Sequence, residues 1–72
     1  MSKAGKRVMS SDTMRIGKRY CVINYGEMTT FRVLSAEGIN DFAIKDIHSL
    51  EIYRFSSLTA YGQGEDYELF EL

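Results

Sequence analysis

The chain has 72 residues, a net charge of −1, one cysteine, no proline and no tryptophan. That length allows one domain with a thin core, since a chain of this size buries only about 60% of its unfolded surface. Cys21 alone excludes an internal disulfide, and no Cys/His cluster offers a structural zinc site, so close packing or association with another subunit must supply stability.

Residues 1–14 are small, polar and basic, without apolar periodicity. They predict a disordered basic leader ahead of a folded domain over residues 15–72. Basic residues open the chain, but no apolar stretch follows them as in a secretory signal. No run approaches the ~20 apolar residues of a membrane span. A lone cysteine fits a reducing compartment, so the expectation is a cytoplasmic protein with no membrane partner. Met14 is an internal candidate start, and a chain beginning there would carry six basic against nine acidic residues.

Charge is unevenly placed. Over residues 1–19, Lys3, Lys6, Arg7, Arg15, Lys18 and Arg19 face Asp12 alone, a net +5. Residues 20–72 carry Arg32, Lys45 and Arg54 against nine carboxylates, a net −6.

The body alternates strand-like runs with breaks. Residues 19–25 are rich in β-branched and aromatic side chains and end at Gly26. Residues 29–34 alternate, with Phe31 and Val33 on one face and Thr30 and Arg32 on the other. A polar break over 35–41 precedes alternating residues 42–46, and a turn over 46–49 leads to a fourth run, 51–55, with Tyr53 and Phe55 sharing a face. Residues 56–61 predict one helical turn, capped by Ser56 or Ser57 and stopped by Gly62. Residues 67–71 form the fifth strand. Without proline, edge strands need charge to discourage pairing, and Arg54, Glu68 and Glu71 are suited to that.

Short strands at this spacing, joined by short loops, predict a mainly β, antiparallel fold. Five strands with a helical turn before the last resemble the layout of a Src-homology-3-like barrel over roughly residues 17–72. The resemblance implies a small five-stranded antiparallel barrel. A five-stranded open sheet with a small helix on one face is the alternative.

No catalytic set emerges. His48 is the only histidine and sits in a turn beside Asp46 and Ser49; three such neighbours cannot align as a triad held on rigid elements. Cys21 lies in the most apolar run, with Arg19 and Ile23 on its face, and reads as packed and inert. Asp41, Asp46 and Glu51 fall at turns, where such residues serve turn geometry. The acidic end, residues 65–71, lacks calcium-loop spacing and reads as a strand with a charged face. Gly62-Gln63-Gly64 lacks the lysine and further glycine of a phosphate loop and reads as a turn. The reading is non-enzymatic, with no cofactor, metal or small-molecule substrate.

Five tyrosines exceed what so small a core needs, so some hydroxyls must reach the surface. The first functional expectation is therefore an interaction module that binds a protein partner or self-associates as a homo-oligomer, through Tyr25, Arg54, Tyr61 and Tyr67. The alternative is a nucleic-acid-binding barrel using the basic segment with Arg15, Lys18, Arg19 and Tyr20. The third is an acidic decoy whose carboxylates imitate a phosphate backbone, which requires them on one face.

Overall fold

The computed structural model describes residues 8–72. It is mainly β: β1 (Arg19–Asn24), β2 (Glu27–Ala36), β3 (Phe42–Asp46), β4 (Ile52–Arg54) and β5 (Glu68–Glu71) form one antiparallel sheet in the order β4-β3-β2-β1-β5. Two 3-10 turns accompany it, η1 (Ser11–Thr13) and η2 (Phe55–Thr59). Among the described residues no helix is long and apolar enough to cross a membrane.

The expected barrel is not closed. β4 and β5 are the two edges of the sheet and are not hydrogen-bonded to each other. They are short, and the chain between them forms η2, whose Phe55 fills the core opening with Leu58 packed against it. Apolar side chains thus close the gap that a strand ladder spans in a barrel. The sheet itself is open.

Two-residue periodicity sorts most side chains. Tyr20, Val22, Phe31, Val33, Ile44 and Leu69 point to one face and form the centre of the core, with Met14, Phe42, Phe55 and Tyr67 around them. Phe31 and Val33 are fully buried while Arg32 is exposed, as their alternation requires. A bulge at Leu34 shifts the β2–β3 register between Val33 and Ser35, which bends the longest strand. Alternation fails in β1, where Tyr20, Cys21 and Val22 are all buried in succession.

Part of the expected leader, residues 8–14, lies against the sheet. Residues 1–7 of that leader lie outside the described residues. Val8 makes a parallel bridge to Leu69, the Met9 amide donates to the Leu69 carbonyl at 3.0 Å, and Met14 is buried in the core. This segment covers the β5 edge, a role expected of charge alone. The apolar contacts of Met9 and Met14 hold it there.

η2 is capped differently from the expectation. Neither Ser56 nor Ser57 caps its first turn as an N-cap residue; Asp41, fifteen residues upstream, takes that part. Its Oδ1 accepts from the amides of Ser56 (3.0 Å) and Phe42 (2.8 Å), and its Oδ2 accepts from the Ser56 hydroxyl at 2.8 Å. Burial pushes the Asp41 carboxyl up, but the Ser56 hydroxyl, these amides and the nearby Arg54 outweigh it and hold the carboxyl below its usual range. Asp46 is also held low, first by the Ser49 amide, against a smaller upward push from burial, with the His48 amide and the Tyr53 hydroxyl adding to the effect.

A carboxyl depressed in the folded state stabilises above its unfolded value and loses that contribution as pH falls through the folded value. Stability should therefore be level down to about pH 5 and fall below about pH 4. In acid titrations followed by circular dichroism, Asp41→Asn should be less stable than the parent at neutral pH and show a shallower acid decline. Parallel pH profiles for the two proteins would contradict this role for Asp41.

Candidate functional site

The site is built where the β1–β2 turn meets η2. The turn has two central residues, Tyr25 (φ 52°) and Gly26 (φ 78°), both in the left-handed region, as a two-residue hairpin of this twist requires. Glycine adopts that region freely; a tyrosine there must be held. Asp66 holds it. Its Oδ1 accepts from the Tyr25 amide at 2.9 Å and its Oδ2 from the Gly26 amide at 2.7 Å.

Asn24, buried at the end of β1, joins the turn to the chain beyond β4. Its Nδ2 donates to the carbonyls of Leu58 (3.1 Å) and Gly62 (3.0 Å), and its Oδ1 accepts from the Gly64 amide at 2.8 Å. One side chain thereby fixes η2 and the Gly62-Gln63-Gly64 segment against the sheet.

That glycine segment seats an aromatic ring. A Cβ on Gly64 would stand 3.0 Å from Cδ1 and Cε1 of Tyr25, and one on Gly62 3.6 Å from its hydroxyl oxygen. The Tyr25 ring lies across Gly64, and its hydroxyl donates to the Tyr61 carbonyl at 2.9 Å. Tyr25 and Tyr61 then line one groove with Asn24, Glu27, Ser57 and Leu58, about 630 Å³ in volume. Tyr25 is 58% exposed and Tyr61 93%.

The other residues expected at a partner site do not join it. Tyr67 is 5% exposed, and burial raises its hydroxyl pKa; it is a core residue. Arg54 is exposed on the β4 edge and faces Glu37 (3.7 Å) and Asp41 (4.0 Å).

The residues expected to contact nucleic acid are also split. Tyr20 is fully buried, and its hydroxyl accepts from the Arg15 amide at 2.7 Å, so it offers no stacking surface. Arg15 and Lys18 are exposed. Arg19 stands on the opposite face of the sheet from the core, opposite Arg32.

The carboxylates are spread over η1, the start of β2, the end of β3, the β2–β3, β3–β4 and η2–β5 connections and both faces of β5. That scatter does not provide the single acidic face a decoy needs. Asp46 Oδ1 accepts from the main-chain amides of His48 (2.8 Å) and Ser49 (3.0 Å), and the Tyr53 hydroxyl approaches Oδ2 at 3.3 Å. It organises a loop. Among the described residues no three His, Cys, Asp or Glu side chains gather as metal ligands.

Comparison with family models, with curated proteins and with solved structures gave no match. The functional reading therefore rests on the site itself.

Proposed function

We propose that this protein is a small non-catalytic interaction module that takes a short extended segment of a partner protein, bearing a lysine or arginine, into the Tyr25/Tyr61 groove. One observation carries the reading: two tyrosines far apart in sequence are brought into one groove and left exposed, one of them in a left-handed conformation secured by Asp66. Tyrosine offers broad, rigid contact area with few rotatable bonds. Its ring face attracts a cation, and Glu27 adds a carboxylate at the same groove. A Src-homology-3-like layout fits the reading; the strand order and the 3-10 turn between β4 and β5 support it. A cytoplasmic place belongs to the same proposal.

A selection from a random peptide library, followed by titration of the winners, tests it. Enriched peptides should carry Lys or Arg beside apolar residues. Tyr61→Ala removes a side chain that is almost wholly exposed, so the fold should persist while affinity falls by about 10–100-fold. Gly64→Ala should weaken the same peptides by pushing the Tyr25 ring off its seat. If nothing is enriched, or if Tyr61→Ala binds as the parent does, the groove is not the site.

A further inference from the structure

We propose that Arg19, Arg32 and Lys45, on the face of the sheet opposite the core, form a second site that binds a compact ligand carrying two adjacent phosphoryl groups. The register places them side by side: Arg19 pairs with Arg32 across β1 and β2, and Arg32 pairs with Lys45 across β2 and β3. At the usual strand separation the row spans about 10 Å. Like charges directly opposite on neighbouring strands destabilise a sheet, so the row opposes folding unless something anionic sits on it. Among the described residues no carboxylate pairs with any of the three; the ion pairs found there belong to Arg54.

The row is also shaped. Arg32 Nη1 donates to the Gly17 carbonyl at 2.9 Å, which fixes its guanidinium. Ile47 and Leu50 complete a groove of about 210 Å³ with the three cations. That wall is preformed: the Leu50 amide donates to the Asp46 carbonyl at 2.8 Å, the Ile47 amide to the Thr30 carbonyl at 2.9 Å, and the Asp46 carboxylate caps the loop between them.

Guanidinium groups suit phosphoryl oxygens because their donors form a planar fork. The row is short and bounded. On β4 it ends at the apolar Ile52. A pyrophosphate unit matches a row of three cations of this length, and a longer polyanion finds no further cation opposite Lys45 on β4. Aromatic stacking surface is absent from the groove lining, so recognition falls on phosphate rather than on a base.

The test is an amide-resolved NMR titration of the full chain at low ionic strength with pyrophosphate, orthophosphate and a short oligothymidylate. Pyrophosphate should shift the amides of Arg19, Arg32, Lys45, Ile47 and Leu50, bind about tenfold more tightly than orthophosphate, and weaken with added salt. Lys45→Gln should lose about tenfold in affinity yet melt no lower than the parent, since one like-charge contact goes with the lysine. Arg54→Gln, whose parent side chain faces Glu37 and Asp41, should bind pyrophosphate as the parent does. Equal binding of orthophosphate, shifts scattered away from the row, or full affinity in Lys45→Gln would overturn the site. Tighter binding of the oligothymidylate than of pyrophosphate would overturn the compact ligand in favour of a nucleic-acid backbone. None of these outcomes touches the tyrosine groove, which lies elsewhere on the molecule and is read with peptides.

Discussion

Asn24→Ala should lower stability by about 2–4 kcal/mol, a large share of what a domain of this size possesses. The side chain is buried and uses every atom it has: two donors to the Leu58 and Gly62 carbonyls and one acceptor for the Gly64 amide. Alanine leaves three main-chain groups without these partners. A buried group deprived of its partner costs about 1–3 kcal/mol, reduced here because the Gly62–Gly64 side of the site is close to solvent. Thermal melts should show a fall of more than about 10 °C. Asn24→Asp gives the sharper comparison. It keeps the shape and the acceptor for Gly64 but turns a second oxygen toward two carbonyl oxygens. It should be least stable where the carboxylate is ionised and recover partly on protonation, the reverse of the Asp41 pH trend. An Asn24→Ala protein that melts with the parent would mean that η2 is held to the sheet by packing alone.

The sheet was legible in the sequence because residues such as Phe31 and Val33 alternate with Thr30 and Arg32, and a half-buried strand imposes that period. The third strand falls on its expected residues, Phe42–Asp46, for the same reason. Burial on both sides of β1 breaks the rule, and Tyr20, a residue of the nucleic-acid alternative, is fully buried because an aromatic side chain fits either environment. Met9 and Met14 gave no signal, since single apolar residues in a polar segment have no periodicity to show.

The sites were less legible because they depend on pairing across the chain. Asp66 reads as one charge in an acidic strand, yet its carboxylate serves the amides of a turn forty residues away. Tyr25 and Tyr61 were visible as loop aromatics, but not the glycine seat that brings them together. Arg19, Arg32 and Lys45 recur at even intervals, which becomes a row only once two hairpin registers are known. By charge alone Arg19 falls in the basic first nineteen residues and the other two in the acidic remainder.

Phe31→Ala should have the largest effect on folding. The ring is fully buried at the middle of β2, with its centroid 6.0 Å from that of Tyr20 and 5.7 Å from that of Phe55. It therefore links the sheet to η2 at the place where no strand ladder closes the structure. Truncating a buried phenylalanine costs about 3–5 kcal/mol, and losing two aromatic contacts adds to that. A chain of this length has roughly 4–11 kcal/mol in all, so much of the Phe31→Ala protein should be unfolded or molten at ambient temperature, visible as collapsed amide dispersion and a fall in melting temperature of more than about 15 °C. Phe31→Leu restores most of the volume and should cost under about 1.5 kcal/mol. The variant also reports on function, because η2 carries Leu58 and leads directly into Tyr61: with Phe31 gone, η2 loses its anchor and the groove loses one wall. A Phe31→Ala protein that melts within a few degrees of the parent would mean that the aromatic cluster does not close the open side of the sheet, and the placement of both groove tyrosines would need another cause.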